Sequence, residues 1–500
     1  MATPRRQRIT AIEAQRLIID GLEDDSDLDD DSSESSAQEC DVSYQNHADE
    51  SSDDNFDDMP DGDVPTADIS QPLSHSVSPD ISSRTNDCWQ DVGENDVEPL
   101  QFNSHIIEIM YYSKASTTLS VGGIRHQFSV KENIELSLFA SEFIRESSFY
   151  LSANGQYIIH KMHDGHEIDL QFQPNGYLYL ATEKGAETLE KNHKLQSKLG
   201  AKIELMNQSK LKENFPWLNT DEIALGTHGL WGEGWLDPYS YLLAFKRKAI
   251  SLGVRYIQAE LVDTTFAKVK NMVDSSGKNF ESCHSVQVKT ADGITRTIKF
   301  SKVVLAAGCA SGEVAKLFKI GTGNGILEHP LPVQPRKRFV HMFHTHDGPG
   351  LDCPFVINPN GMYFRREGLG GNYICGASPT EEEEPDPSNL DVNHEEFEEK
   401  MWPYLANQVP SFESLKYKSS WAGYYDYNVF DQNAIVGEHP YIQNLSFATG
   451  FSGHGIQQAA GIGRAVAEYI YDGKYQTIDL SRFHFNRVLD NEPIFESNII

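Results

Sequence analysis

The sequence has no apolar run that approaches the roughly 18 residues needed to cross a membrane, which excludes integral insertion. Cysteine is also scarce, and the 6 cysteines are scattered through the 500 residues without paired spacing. That scatter argues against a disulfide framework or a zinc site, and it favours a reducing compartment.

Basic residues are few, and the shortage is concentrated in the first fifth of the chain. The sequence has 42 Lys and Arg against 74 Asp and Glu. Residues 1–100 contain 27 acids and 5 bases, which account for −22 of the net charge of −32. The other 400 residues, with 47 acids and 37 bases, lack the basic excess of a nucleic-acid-binding body. We therefore predict an acidic, disordered leader over residues 1–104 and a folded body that does not bind nucleic acid.

One short helix is predicted inside the leader, near residues 10–22. Thr10 and Glu13 form a T-x-x-E capping box, and apolar residues follow it. The segment is interpreted either as a frayed helix or as a docking segment. The acidic leader resembles the N-terminal region of piggyBac-type transposases in composition, which leaves a nuclear interaction protein as one hypothesis. Its early arginines suggest a mitochondrial transit peptide, but the acids within the first twenty-odd residues argue against one.

From about residue 105, patterns typical of strands alternate with patterns typical of helices. Strands are predicted at 106–110 and 177–181, and a helix at 131–150. Asp237 followed by Pro238 predicts the start of another helix. The Asp292-Gly293 pair, between two alternating runs, predicts a β-hairpin. The body is therefore expected to be α/β with inserted antiparallel strands.

Three glycine-bearing segments are candidates for ligand binding. Residues 120–128 expose backbone at paired glycines before a helix, and residues 303–308 are an apolar strand that ends in small residues and glycine. Residues 449–455 precede Gly461-Ile462-Gly463, which is expected to open a helix through about residue 470 and to favour negative charge. None of the three is a G-x-S-x-G nucleophile elbow, so a hydrolase is not favoured.

These segments, in this order, resemble the D-amino-acid-oxidase-type flavoprotein family of glycine, sarcosine and dimethylglycine oxidases and dehydrogenases. The resemblance covers residues 113–500 and includes the strings SKASTTLSVGGIRHQFS, EGWLDPYSYL, YFRREGLGGNY, WAGYYDYNVFDQN and ATGFSGHGIQQAAGIGRAVAEYI. It implies a Rossmann-like FAD-binding domain interleaved with a substrate domain on an antiparallel sheet. The boundaries it implies are 105–480 for the whole domain, with FAD-binding parts at about 105–150, 238–315 and 430–475, substrate parts at 151–237 and 316–429, and a C-terminal tail at 481–500.

The resemblance also implies which positions contact FAD. Glu108 is expected to bind the ribose, and Ser120, Gly122, Gly123 and Arg125 are expected to lie along the flavin. Backbone beside the adenine and the pyrophosphate is expected at Leu261, Ala307 and Gly308. The loop under the flavin is expected at Gly450, Phe451, Gly453, His454, Gly455 and Ile456.

One part of the family pattern is missing from residues 1–104. Such flavoproteins open with a strand, G-x-G-x-x-G, a helix, a strand and an acid, which together hold the pyrophosphate and the ribose. Here Gly21, Gly62 and Gly93 are isolated. The expected FAD-binding domain is therefore incomplete, with its first strand and glycine fingerprint absent. We predict weak or no FAD binding and marginal stability for this chain.

The substrate that the resemblance implies is a small amine or amino acid, oxidised by hydride transfer to FAD. The family's G-x-R-P arginine is replaced here by Gly423-Tyr424-Tyr425-Asp426, so Arg365 becomes the candidate for a substrate carboxylate. Tyr363 and Tyr425 are candidate pocket residues, either catalytic or simply packed. The competing hypothesis is an assembly protein in which catalysis is secondary or lost. A mitochondrial member of the family is associated with assembly of respiratory complex I, which implies a mitochondrial location and complex I assembly intermediates as partners.

Three histidines, His341, His344 and His346, invite a metal interpretation because neighbouring ligands on one strand face can chelate. Histidines near a strand end are more often polar loop residues, and we predict no metal site.

Overall fold

The computed structural model of the chain describes residues 19–21, 103–108, 115–151, 168–273 and 279–497. Its strands, in chain order, are β1 (Ile19–Gly21), β2 (Asn103–Glu108), β3 (Gly123–Ile124), β4 (Tyr177–Ala181), β5 (Ile203–Asn207), β6 (Leu225–Gly229), β7 (Gly234–Trp235), β8 (Arg255–Val273), β9 (Asn279–Thr290), β10 (Thr295–Leu305), β11 (Val333–His344), β12 (Phe355–Ile357), β13 (Tyr363–Glu367), β14 (Asn372–Gly376), β15 (Lys416–Asn428), β16 (Ile435–Glu438) and β17 (Leu445–Thr449). Its α-helices are α1 (Lys131–Arg145), α2 (Ser147–Leu151), α3 (Glu183–Lys198), α4 (Gln208–Asn214), α5 (Pro238–Ser251), α6 (Ser311–Leu317), α7 (Trp402–Gln408), α8 (Gly455–Asp472) and α9 (Asn486–Leu489).

The first sheet contains seven strands in the order β1-β2-β8-β9-β10-β17-β16, and β1 also pairs with β10. Strand β2 is parallel to β8, and β10 is parallel to β17. Strand β9 runs antiparallel to both β8 and β10, so those two strands point the same way. The strands β2, β8, β10 and β17 therefore share one direction, and the segments that follow β10 and β17 meet at one edge.

The second sheet contains eight strands in the order β15-β11-β14-β13-β12-β4-β6-β5. All of its pairings are antiparallel except that between β12 and β4. A short antiparallel ribbon of β3 and β7 lies apart from both sheets. The mixed α/β architecture with a large antiparallel sheet is confirmed.

Two local predictions rest on residues whose chemistry is visible in the structure. The side chain of Asp237 accepts a hydrogen bond from the backbone N–H of Ser240 at 2.8 Å and caps helix α5, with Pro238 in the first turn. Gly293 adopts a φ of +80° between β9 and β10, a conformation that favours glycine and closes the predicted hairpin. Both predictions are confirmed.

Strand β1 corrects part of the predicted N-terminal helix. Ile19–Gly21 is extended and pairs antiparallel with β2 on one side and β10 on the other. Those two strands would otherwise present unpaired N–H and C=O groups to each other, and that demand outweighs a local helical pattern. The rest of the predicted helix, and the predicted disordered leader over residues 22–102, lie outside the described residues.

Other predicted elements differ in their bounds. The single helix predicted over 131–150 is divided at Glu146 into α1 and α2. The strand predicted at 106–110 begins earlier, at Asn103, and its last two predicted residues lie outside the described ranges. No helix in the part of the chain that the structure describes combines the length and apolarity of a membrane span.

Each sheet packs on its own hydrophobic cluster. Val303, Leu445 and Phe447 lie in the cluster of the first sheet, and Phe343 and Phe364 in that of the second. In the described part of the predicted C-terminal tail, Phe483 and Phe485 are almost fully buried, and Phe485 belongs to the cluster of the first sheet.

Candidate functional site

The carboxyl edge of the parallel strands brings two of the predicted glycine segments together. Strands β10 and β17 pair from Val303 opposite Leu445, so the residues after each strand emerge side by side. The Thr449 hydroxyl donates to the Ser311 hydroxyl at 2.6 Å and joins the two segments. Gly308 adopts a φ of +54°, and a side chain built there would meet no protein atom within 4 Å. A ligand can therefore approach the backbone at this edge, where open α/β sheets bind theirs.

Helix α8 begins at the end of the third glycine segment, residues 449–455. Its first residue is Gly455, not Gly461 as predicted. Gly461 lies inside the helix, where a Cβ atom would come within 2.8 Å of the Leu136 side chain, so this glycine serves close packing with α1. The positive end of an 18-residue helix dipole therefore lies directly after the Gly450–His454 loop, beside the carboxyl edge.

The loop before α8 needs its glycines. Gly450 and Gly453 have φ angles of +76° and +98°. A Cβ atom on Gly453 would lie 2.6 Å from the Tyr425 ring. The predicted loop residues and the predicted pocket residue Tyr425 are therefore in direct contact.

Arg125 occupies the centre of the candidate site. Its guanidinium is buried, donates to the Tyr179 hydroxyl, and lies 4.6 Å from the centre of the Phe128 ring. Its Nη2 atom is 2.9 Å from the Nε2 atom of His454. Because a guanidinium only donates hydrogen bonds, the His454 nitrogen accepts and the imidazole is neutral. Burial lowers the pKa of His454 to about 3, and the nearby Arg125 charge acts in the same direction.

The charge of Arg125 has no counter-ion beside it. Within the described ranges, no carboxylate lies within salt-bridge distance of this guanidinium, and its Nε atom is buried without a hydrogen-bond partner. Burial also lowers the pKa of Arg125. A buried cation left in this state is costly unless something anionic or electronegative completes it. Arg125 is therefore the side chain best suited to hold an anionic group of a ligand.

A buried polar network fixes the backbone on the far side of Arg125. The Glu233 carboxylate accepts from the His126 backbone N–H at 2.8 Å and from the Gln127 side chain at 2.9 Å. Burial raises the pKa of Glu233 to about 7 and lowers the pKa of His126 to about 4. Sequence reasoning missed Glu233, Tyr179 and Gln457, whose side chain accepts from the Arg125 backbone N–H at 2.9 Å. Glu233 and Gln457 lie within motif strings that carry the resemblance, whereas Tyr179 lies in the predicted strand 177–181 and has no further signal in the sequence.

The predicted tyrosines lie on β13 and β15 of the second sheet, which are separated by β14 and β11. Burial raises the pKa of Tyr363, and the Tyr425 hydroxyl raises it further, as expected for close neighbours. Tyr177 also belongs to this group, stacked on Phe355 with ring centres 4.3 Å apart. The three tyrosine rings line the region beside Arg125 and exclude water from it, whether or not they take part in catalysis.

Arg365 lies on β13, as predicted, but its nitrogens are already engaged. Its Nε and Nη2 atoms donate to the Val121 carbonyl at 3.2 and 3.0 Å, and Nη1 donates to the Arg366 carbonyl and to Glu367. The side chain ties the second sheet to the 120–125 segment. Its predicted role as a carboxylate partner stays a prediction.

The remaining predicted FAD contacts lie in several different parts of the structure. Glu108 is the last residue of β2, and Leu261 pairs with Val288 in β8 and β9. Ser120 accepts from the Gly122 backbone N–H at 3.1 Å. Gly123 lies in the β3–β7 ribbon, pressed against Tyr177. The structure brings Gly122, Gly123 and Arg125 together with the loop before α8. Leu261 lies elsewhere, in β8 of the first sheet.

The three histidines do not converge. His341 is buried in β11, while the His344 and His346 rings lie 4.9 Å apart near its end. The described segments of the chain contain no group of three His, Cys, Asp or Glu side chains arranged to hold a metal ion.

Comparison with known proteins decides the family. Residues 110–469 match the DAO family, described as FAD dependent oxidoreductase. The chain belongs to this family. FAD-dependent oxidoreductase domain-containing protein 1 from Xenopus laevis is 50% identical over 394 residues, which cover 78% of this chain and 77% of that protein.

Solved structures of two other proteins have a similar fold. L-proline dehydrogenase from P. horikoshii superposes with a TM-score of 0.63 at 23% identity, covering 79% of this chain and 93% of that one. Glycine oxidase from Geobacillus kaustophilus gives 0.60 at 21% identity, covering 77% and 92%. FAD is the cofactor of this DAO-family oxidoreductase.

The described residues fit one half of an FAD molecule better than the other. The open backbone at Gly308 and the start of α8 suit a flat ligand with an anionic group. Strand β1 fills the position between β2 and β10, but it runs antiparallel to both, so its last residue, Gly21, lies toward the edge opposite to the carboxyl ends of β2 and β10. Among the described residues, no glycine turn leads from β1 or β2 into a helix at the carboxyl edge.

Proposed function

We propose that this chain is an FAD-dependent oxidoreductase of small amines or amino acids, including N-methyl amino acids, and that Arg125 holds the anionic group of the substrate. The observation that carries the proposal is a buried guanidinium with an unpaired Nε atom and no carboxylate partner among the described residues. Bound FAD supplies the chemistry, because its flavin accepts a hydride from a carbon beside nitrogen.

The chain's own residues supply orientation and a dry site. The planar guanidinium of Arg125 suits a carboxylate, whose binding fixes the carbon to be oxidised. His454, held neutral by burial, keeps the guanidinium in place without adding a second positive charge. The rings of Tyr177, Tyr363 and Tyr425 exclude water, which strengthens the Arg125 contact.

The test uses the purified chain after incubation with FAD. Glycine, sarcosine and L-proline are added in turn, and bleaching of the flavin's visible absorption is followed. Substituting Arg125→Met should raise the substrate concentration for half-maximal rate about tenfold to a hundredfold, as expected for loss of hydrogen bonds to a charged group. Arg255→Met is the matched control, because Arg255 is exposed.

Two results would contradict the proposal. Flavin that stays oxidised with every amine, in a chain shown to hold FAD, would remove the oxidoreductase assignment. Equal effects of the Arg125 and Arg255 substitutions would remove the role of Arg125.

A second candidate function is an assembly protein derived from a flavoprotein, with catalysis secondary or lost. The antiparallel direction of β1 supports it, because that strand does not lead backbone N–H groups to the carboxyl edge. The family resemblance supports a mitochondrial location and complex I assembly intermediates as partners for either candidate. Cell fractionation and co-purification of tagged full-length chain test this, and a nuclear chain without complex I subunits would contradict it.

A further inference from the structure

The carboxylate of Glu496 is buried against the start of helix α1. It accepts from the Ser129 backbone N–H at 2.6 Å and from the Val130 backbone N–H at 3.2 Å. It also accepts from the Ser129 hydroxyl and, at 2.7 Å, from the Asn133 side chain. A single side chain, 366 or more residues away along the sequence from the first two, thus satisfies four donors.

Helix α1 lacks a cap of its own. Its N-cap residue is Val130, which has no side-chain acceptor to offer. The first N–H groups of a helix need acceptors from elsewhere, and a negative charge there is favourable because of the helix dipole. Glu496 places a negative charge at this helix start and accepts from the two backbone N–H groups directly before the helix, those of Ser129 and Val130.

The segment that carries Glu496 is itself fastened. The Ile494 backbone N–H donates to Asp431 at 3.1 Å, and the Asn433 side chain donates to the Ile494 carbonyl at 2.7 Å. Asp431 in turn forms a buried ion pair with Arg487 at 2.7 Å. The Ser497 backbone N–H donates to the Ser129 hydroxyl at 2.7 Å. Residues 494–497 therefore form a strap with fixed ends, which we call the C-terminal strap.

The strap lies one residue from the Arg125 site. Phe128, directly before Ser129, is almost fully buried between two site residues. The Arg125 guanidinium lies 4.6 Å from its ring centre, and the His454 ring meets it edge-on at 5.2 Å. The Glu496 charge also acts on Arg125 electrostatically, raising its pKa against the effect of burial. Ser129 is therefore linked to Arg125 through the adjacent Phe128, whose ring contacts the guanidinium.

We propose that Glu496 is a positioning residue: by clamping the C-terminal strap onto Ser129 and Val130, it holds Phe128 and, through it, Arg125 in register with His454. This deepens the proposed function, because it concerns the arginine that takes the substrate's anionic group. Its test needs neither FAD nor turnover, so its failure is distinguishable from failure of the proposed function.

The test is amide hydrogen exchange on the full-length chain, read in overlapping peptides over residues 120–135. Glu496→Gln keeps the shape but turns one acceptor oxygen into a donor that faces other donors. Exchange should quicken about tenfold at Ser129 and Val130, as expected for lost hydrogen bonds to a charged group. It should also quicken at Arg125 and His126, whose N–H groups bond to Gln457 and Glu233 and not to Glu496.

The matched control is Glu492→Gln, an exposed carboxylate two residues before the strap, which should leave exchange over residues 120–135 unchanged. Faster exchange confined to Ser129 and Val130 would show a local helix cap and overturn the positioning role. Unchanged exchange everywhere would overturn the clamp as well. If Glu496→Gln does not fold, Ser129→Ala removes only the hydroxyl contacts, and the same peptides should show a smaller rise that still includes Arg125. Its absence there would overturn the proposal.

Discussion

The Nη2 atom of Arg125 lies 2.9 Å from the Nε2 atom of His454, and this contact makes the histidine an acceptor. The loop before α8 and the 120–128 segment are 329 residues apart in sequence, yet this contact joins them. Since the imidazole stays neutral, the pair carries one positive charge, and that charge belongs to Arg125.

Replacing His454 by Phe should destabilise the chain by about 1–3 kcal/mol, because a buried guanidinium nitrogen loses its acceptor while the ring contact with Phe128 is kept. Urea unfolding of the two proteins measures the difference. His346→Phe is the control, since His346 is an exposed ring near the end of β11. Equal losses in the two variants would show that the Arg125 contact contributes nothing to stability.

Glu233 should make stability fall as pH rises through the weakly acidic range. Its folded pKa is raised to about 7 from 4.5, so the unfolded chain ionises first. Stability from this group is present below 4.5, is lost between 4.5 and 7, and is constant above 7. The advantage of Glu233→Gln over the parent should therefore grow by about 1.4 kcal/mol per pH unit in that window and then level off.

Thermal unfolding of both proteins at a series of pH values measures this difference. Glu492→Gln, a change at an exposed carboxylate, is the control variant. A Glu233→Gln advantage that does not change with pH would mean that this carboxyl ionises normally in the folded chain.

Gly453→Ala should destabilise the chain by at least about 2 kcal/mol, from a strained φ of +98° together with overlap of the new Cβ atom with the Tyr425 ring. Gly200→Ala isolates the first contribution, because Gly200 has a φ of +104° and nothing within 4 Å. Adding Tyr425→Ala to Gly453→Ala should cost less than the sum of the single changes. Additive losses, measured by urea unfolding, would contradict the contact.

The purified chain should hold well under one FAD per molecule after gel filtration, because the sequence of residues 1–104 lacks the G-x-G-x-x-G fingerprint and β1 runs antiparallel to β10. Visible absorption against protein concentration gives the ratio. Stoichiometric flavin in the parent chain would show that another segment binds the pyrophosphate.

Local chemistry was predictable where one or two adjacent residues decide the outcome. Asp237 with Pro238 starts α5, and Asp292-Gly293 closes the β9–β10 hairpin, because each rests on its own side chain or its own φ angle. The family and the cofactor could be predicted from the glycine segments for a similar reason. Positions where a ligand must approach the backbone closely require glycine, and glycine is visible in the sequence.

Long-range chemistry was not predictable in this way. Gly461 has the same pattern as a glycine at a helix start, and only its contact with Leu136 shows that it serves helix packing. The partners of Arg125 are contributed by strand β4 and helix α8, which no local window contains. Ile19–Gly21 carries a helical pattern but is extended, because open strand edges in the folded body set its conformation.

Strand β1 shows that completing a sheet and completing a binding site are separate tasks. Hydrogen bonds between strands form in either direction, so a reversed segment can satisfy the backbone as well as a forward one. Direction decides only where the chain goes next, and that is what cofactor binding depends on. Solubility and cooperative unfolding would therefore not reveal whether such a chain binds FAD, whereas the visible absorption of bound flavin would. For this protein, the yield of soluble chain is a poor guide to its ability to bind FAD.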